Sequence, residues 1–341
     1  AAALGLLTAL GVTGALLFWP GEDDPGGMTD GGDPTERGGP AAVADGEPLT
    51  VGPDGRFPTI AAALNHLREL PEPAGPDEAH VILLPKGAVT ERLVADGGGF
   101  DFPSYVTLRG HDEGTTFRTA GAAPSVTVTG PLIGFTLENV AVDASGKAVA
   151  VELSGGLTKT RFAGLSIDKA TGTGLLLRGV ASDGLRIEKL RIESAGGSGT
   201  RGVQIAGGGA TDTAIAGGSI AGPEIGVEVG AMAERLTLDG LSLSGGRVGV
   251  QFGRTSGGKV SLKEVTLSGL RFADLADGVS FANAPTESSK DLVVSNSDFG
   301  NAERPIAPGD HAAAVESALD KEASVGNQAT NTEPDPLNLF P

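Results

Sequence analysis

From Phe135 onward the apolar residues recur in one short figure: apolar, any, apolar, two residues, apolar, any, apolar. The copies read Phe135-Thr-Leu-Glu-Asn-Val-Ala-Val142, Thr160-Arg-Phe-Ala-Gly-Leu-Ser-Ile167, Leu185-Arg-Ile-Glu-Lys-Leu-Arg-Ile192 and Thr213-Ala-Ile-Ala-Gly-Gly-Ser-Ile220. Leu236-Thr-Leu-Asp-Gly-Leu-Ser-Leu243, Val260-Ser-Leu-Lys-Glu-Val-Thr-Leu267 and a weaker Leu292-Val-Val-Ser-Asn-Ser-Asp-Phe299 follow. Their third residues, Leu137, Phe162, Ile187, Ile215, Leu238, Leu262 and Val294, lie 25, 25, 28, 23, 24 and 32 apart. A second series runs between them: Ala148-Val-Ala-Val151, Gly174-Leu-Leu-Leu177, Gly202-Val-Gln-Ile205, Gly226-Val-Glu-Val229, Gly249-Val-Gln-Phe252 and Gly278-Val-Ser-Phe281. Its steps are 26, 28, 24, 23 and 29. Two independent series that keep step define a structural repeat.

Each copy of the figure is two short period-2 strands around a two-residue corner. The corner's second position holds Asn139, Gly164, Lys189, Gly217, Gly240, Glu264 and Asn296. Most of these are Gly or Asn, which tolerate a left-handed backbone. No helical pattern lies between copies, which argues against leucine-rich repeats and βαβ units. The pattern therefore predicts an all-β parallel solenoid. Seven coils stacked at about 4.8 Å give a core roughly 34 Å long.

The open ends of such a stack need caps. Residues 59–70 carry Ile60, Leu64 and Leu67 on one helical face, with Thr59 as N-cap and Pro71 as terminator, and are expected to cap the start. Val81 to Gly87 and Val106 to Gly110 read as short strands of the first coils. The β-helix is assigned to residues 49–310, and residues 311–341, opening with His311 to Asp320, to a C-terminal cap and tail.

Residues 1–19 carry no charge and end on Trp19, with Pro20 next. As a helix they span roughly 28 Å, close to the ~30 Å hydrocarbon core of a bilayer. A transmembrane helix is expected, with a signal peptide and a buried helix as competitors. Residues 20–48, rich in Gly, Pro and Asp, read as a flexible linker. The first basic residue after Pro20 is Arg37, so the positive-inside rule places the β-helix on the extracytoplasmic side. The chain opens on Ala1 rather than Met, and it is expected to continue upstream.

Composition narrows the function classes. Gly is 55 of 341 residues, too rich for helical bundles and without the triplet of collagen. The net charge of −18 argues against nucleic acid, whose phosphates select Lys and Arg. The absence of Cys removes disulfides and thiolate metal sites. Neither a cofactor nor a metal is expected.

With these residues in view, the chain resembles the right-handed parallel β-helix (pectin lyase-like) superfamily, which includes pectate lyases, pectin esterases and polygalacturonases. The resemblance rests on Val51-Gly-Pro-Asp-Gly-Arg-Phe-Pro-Thr-Ile60, on Val81 to Gly87 with Glu91 and Val106 to Gly110, and on the repeats, and it covers about residues 49–300. It implies the fold; many members are not enzymes. The layout also resembles the membrane span and extracytoplasmic part of bacterial receptor serine/threonine kinases, although no His-Arg-Asp or Asp-Phe-Gly motif occurs.

The catalytic motifs of the superfamily are not matched. The sole Asp-Asp is Asp23-Asp24 in the linker, Gly110-His111-Asp112 precedes the repeats, and Arg186-Ile187-Glu188 lacks a final base. No Asp pair occupies matching positions in the two series, and Glu188 and Asp239 are two coils apart. Gly197-Ser-Gly-Thr-Arg-Gly202 fits a dinucleotide pattern but precedes a strand rather than a helix. Gly207 to Ala214 lacks the tandem copy that a Ca²⁺-binding nonapeptide requires, and His66 has no second ligand at metal spacing. No catalytic residue is assigned.

Two sets remain as ligand-binding candidates. Gln204, Glu228 and Gln251 fall at one outward position on successive coils, where they can hydrogen-bond one another and an extended polar ligand; an ordinary solvated face is the competing reading. Glu228 alone could also serve as a general acid, but no partner for it is evident. Arg186, Lys189, Arg191 and Arg201 form a local basic cluster, with Glu188 and Glu193 interleaved. The preferred expectation is a non-catalytic binding or sensing domain on a membrane anchor, facing a cell-envelope polysaccharide or a protein. A lyase, esterase or hydrolase of acidic glycans and an inert surface spacer are the alternatives.

Overall fold

The computed structural model describes residues 47–98, 102–254 and 257–329. The transmembrane expectation for 1–19, the linker 20–48 up to Gly46 and the tail beyond Ala329 lie outside the described residues. No described helix is long and apolar enough to cross a membrane.

The described chain is a right-handed parallel β-helix. Its strands fall into three long ladders, here named A, B and C in the order in which the chain crosses them within a coil. The inward column of ladder A runs Leu49, Ile82, Leu108, Leu137, Phe162, Ile187, Ile215, Leu238, Leu267 and Val294, each in register with the next. Ladder B stacks Val89, Phe117, Val142, Ile167, Ile192, Ile220, Leu243 and Phe272. Ladder C stacks Leu93, Val126, Val151, Leu175, Val203, Val227, Val250, Val279 and Ile306, one from each of nine turns. The seven coils read from the repeat thus become nine, because the two coils before Phe135 carry the ladders without the full apolar figure. These columns merge into one continuous apolar core.

Two copies of the repeats are out of register. In the second series Val151 pairs with Leu175, so the copy that matches Gly174-Leu-Leu-Leu177 is Ala150-Val-Glu-Leu153 and not Ala148-Val-Ala-Val151. Leu238 pairs with Leu267, not Leu262, and Leu243 pairs with Phe272. The true copy is Val265-Thr-Leu-Ser-Gly-Leu-Arg-Phe272, with Gly269 (φ 59°) at the corner. Along ladder A the steps become 25, 25, 28, 23, 29 and 27, which now follow those of ladder C. Glu264 belongs to a different corner, one residue before ladder A. That column also holds Tyr105, Lys159, Asp212, Arg235 and Asp291, all with φ between 44° and 58°.

The expected N-terminal cap is α1 (Ile60–Leu67), which lays Ile60, Ala63, Leu64 and Leu67 on the first coil. Thr59 Oγ1 accepts the Ala62 N–H at 3.1 Å, and the Glu91 carboxylate accepts those of Ile60 and Ala61 at 2.9 and 3.1 Å. Four orphan donors open any helix, and here side chains satisfy three of them. At the other end α2 (Ala312–Ala318) buries Val315 and Ala318, and the strand-like contacts Leu292–Leu319 and Asp298–Gln328 begin one more partial coil.

The Gly before the inward residue of five ladder C strands, from Gly174 to Gly278, stands in a crowded place. At Gly249 a Cβ would stand 2.5 Å from the Phe272 ring, and at Gly278 2.4 Å from the Phe299 ring. Those two rings are stacked on each other at 4.7 Å in the core and have no room to withdraw. Gly249→Ala should therefore cost about 1–3 kcal/mol by overpacking. Gly75→Ala, where a Cβ meets nothing within 4 Å, should be near neutral. Urea unfolding of the two variants checks the contrast.

Candidate functional site

Ladder C strands alternate, so Val227 and Val229 enter the core while Glu228 points away from it. Gln204, Glu228 and Gln251 are in register on three successive coils, as the repeat implied. The Gln204 side-chain amide donates to Glu228 Oε1 at 2.8 Å. Gln251 donates to the carbonyl of Gly253 at 3.2 Å.

The column is not a solvated face. Glu228 is 1% exposed, Gln251 4% and Gln204 7%. Two arginines cover it. Arg201 Nε donates to Glu228 Oε2 at 2.6 Å, and Arg254 Nε to Oε1 at 2.9 Å. Arg201 also donates to the carbonyl of Gly199 at 2.7 Å. Arg254 is anchored by its own N–H, which donates to Asn283 Oδ1 at 2.6 Å. Beside this node, Leu176, Ile225 and Val248 are buried yet stand outside the continuous core. Ile225 and Val248 are in register with Arg201 on one side and Asp277 on the other. The outer face of ladder C is therefore a sheltered strip of mixed apolar, amide and charged groups.

The basic cluster read from sequence is not one cluster. Arg186 lies on ladder A in register with Arg161, Lys189 occupies the corner, Arg191 lies on ladder B and Arg201 on ladder C. The chain turns from face to face within these few residues, so neighbours in sequence point in different directions. Arg191 is paired with Glu193 next to it. Arg161 bridges Glu138 and Glu188 at 2.9 and 2.8 Å. Only Arg201 joins the column with Gln204, Glu228 and Gln251. Arg254 was missed; the signal that finds it is its distance from Glu228, about one coil along the chain.

The turn 197–200 walls one side of the strip. Thr200 Oγ1 donates to the Gly197 carbonyl at 2.7 Å and accepts the Glu224 N–H at 2.9 Å, while the Glu224 carboxylate accepts the Gly199 N–H. The dinucleotide-like glycines thus build a turn ahead of a strand. The Gly199 N–H holds the Glu224 carboxyl below the ordinary carboxylate range, against the effect of burial, with help from Arg247 and Arg201. Among the described residues no group of three or more His, Asp or Glu could hold a metal ion. His66 packs against Phe57, ring centroids 5.2 Å apart, on the cap of the first coil and several coils from Glu228.

Chemically, the node is saturated. Glu228 accepts from three N–H donors over both its oxygens, and its ladder neighbours are amides rather than a second carboxylate. Glycoside hydrolysis by the usual route needs two carboxyl groups flanking one bond. The general-acid reading of Glu228 has its partners supplied, but they are fixed cations and an amide rather than a proton-transfer pair.

No protein-family model matches the chain, and no curated protein matches it. Among solved structures, the pectin methylesterase of Aspergillus niger is similar over 88% of this chain and 91% of its own, at 13% identity and a TM-score of 0.42. The catalytic domain of a GH87 α-1,3-glucanase, solved with tetrasaccharides, is similar over 87% of this chain and 70% of its own, at 13% identity and a TM-score of 0.32. PfbA, a surface adhesin of Streptococcus pneumoniae, is similar over 66% and 79%, at 9% identity and a TM-score of 0.31.

A pH dependence follows from Glu224. Its carboxyl is lowered in the folded protein, so it contributes stability above its unfolded value of 4.5 and loses that contribution as pH falls through the folded value. Thermal stability should fall below pH 4.5, and Glu224→Gln should flatten part of that slope, measured by melting temperature against pH.

Proposed function

We propose that this chain is a non-catalytic binding module whose ligand is a polysaccharide laid along the outer face of ladder C. The observation that carries the reading is the saturated, buried Glu228, which holds two partly exposed arginines over a floor of buried amide and aliphatic groups. Sugars present an apolar ring face and a rim of hydroxyls, and a site for them combines apolar floor with a few fixed polar groups. Arg201 and Arg254 supply fixed polar groups and their stems apolar surface, above a floor of Ile225, Val248, Gln204 and Gln251 that is itself buried. Stacked coils repeat this offer at about 4.8 Å, which suits an extended polymer more than a compact metabolite. In this reading residues 1–19 anchor the module, and the β-helix faces the extracytoplasmic side.

The experiment is a retention assay on a panel of neutral and acidic envelope polysaccharides, with released reducing and unsaturated ends measured in the same samples. We expect retention without turnover. Arg201→Gln, which removes one of the two exposed cations, should weaken retention several-fold with the fold intact by circular dichroism. New chain ends that disappear in Glu228→Gln would replace the binding reading with an enzymatic one. Absence of both retention and cleavage would leave only a spacer.

A further inference from the structure

We propose that Arg201 and Arg254 form a seat for one tetrahedral oxyanion, a phosphate or sulfate group, on the outer face of ladder C. The inference rests on that face being the ligand surface and adds the chemistry of one of its substituents.

The two guanidinium groups come from different coils, and the same carboxylate holds both. Each uses Nε toward Glu228, on opposite oxygens, at 2.6 and 2.9 Å. They are therefore no further apart than those two bonds and the width of one carboxylate allow. Binding through Nε leaves the terminal nitrogens to point elsewhere. Arg201 gives one of them to the Gly199 carbonyl, while those of Arg254 meet no acceptor among the described residues. Both side chains reach solvent, at 26% and 41% exposure, above a carboxylate that does not.

Charge singles out this node from others on the face. Arg178 meets Glu152 and Arg304 meets Asp277, one cation for each anion. Around Glu228 there are two cations for one anion, a local excess of one positive charge in a protein of net charge −18. A planar carboxylate is satisfied by a single guanidinium fork, whereas a tetrahedral group has a third oxygen to offer a second fork.

The path of Arg254 shows that the arrangement depends on its surroundings. Its stem crosses Gly230, where a Cβ would stand 2.6 Å from Arg254 Cδ and 2.7 Å from Cγ. Gly230 has an ordinary backbone conformation, so an added methyl displaces a flexible side chain and leaves the strand alone. Gly230→Ala thus moves Arg254 while preserving every charge.

The test is calorimetric titration of the full chain with inorganic phosphate, sulfate and acetate at fixed ionic strength. Saturable one-to-one binding is expected for phosphate and sulfate, with acetate at least about tenfold weaker. Arg254→Gln and Gly230→Ala should each weaken phosphate by about tenfold, the scale of a lost charged hydrogen bond. Phosphate binding should strengthen as its second proton leaves near neutral pH, and sulfate binding should not, which separates the two chemistries. Equal binding of acetate, no saturable binding, or indifference to both variants overturns the proposal. Polysaccharide retention with no phosphate binding would sink the seat alone. Phosphate binding that depends on Arg254, with no polysaccharide retained, would sink the polysaccharide reading alone.

Discussion

Every coil of this protein is held by main-chain hydrogen bonds to the coil above and the coil below. Arg186 N–H reaches the Thr160 carbonyl, Arg161 N–H the Phe135 carbonyl, and Ser125 N–H the Ala150 carbonyl, all at 2.9 Å. A parallel ladder of this kind has no tolerance for a slipped residue, because a one-residue shift sends every inward side chain outward. Coils of unequal length must therefore expel the difference at their corners. The step of 29 residues between Leu238 and Leu267 does so in the segment that follows Phe252, and the ladders on either side stay in register. Like side chains then stack on like, as Phe252 on Phe281 at 5.1 Å and Phe272 on Phe299 at 4.7 Å.

The same register governs the polar surface. Arg109 meets Glu138 at 2.8 Å, and Arg161 joins Glu138 to Glu188, so charge alternates along the axis of ladder A. Exposed pairs of this sort contribute about 0–1 kcal/mol each. Their larger effect is to penalise a slip, which would set like charges side by side. Lys147 does related work without a carboxylate. Its buried ammonium donates to the carbonyls of Thr119, Gly121 and Ala123 at 3.0–3.1 Å, fastening the corner of the preceding coil.

This regularity explains which features were legible in the sequence. The strand–corner–strand figure and the Gly-led second series follow from the core columns, and both are local. The copy at Val260 failed because Val260, Leu262, Val265 and Leu267 satisfy the same spacing as Val265, Leu267, Leu270 and Phe272. The corner favours the second, since Glu264 and Gly269 both adopt positive φ but only the glycine does so without steric cost. The step lengths agree, since 29 then 27 matches the second series and 24 then 32 does not. At the site, the column of Gln204, Glu228 and Gln251 was legible because it is a register position. Its burial was not, because the covering arginines come from one coil before and one coil after. The grouping of Arg186, Lys189 and Arg191 with Arg201 failed for the converse reason: on a solenoid, nearness in sequence places residues on different faces.

Glu228 shows what that geometry allows. A lone carboxylate taken out of water is costly unless charge and hydrogen bonds compensate it. On a single strand the compensation would have to come from residues on the same short segment. Here the ladder delivers Gln204 and Arg201 from the preceding coil by backbone register, and Arg254 comes from the following coil, two residues past the end of its strand. The carboxylate in turn fixes two long side chains that would otherwise sample many rotamers, which lowers the entropic cost of using them to bind. The buried acid on ladder C is thus best understood as the part that pre-positions its own cations, and the ligand chemistry of this face is set by what those cations have left to donate.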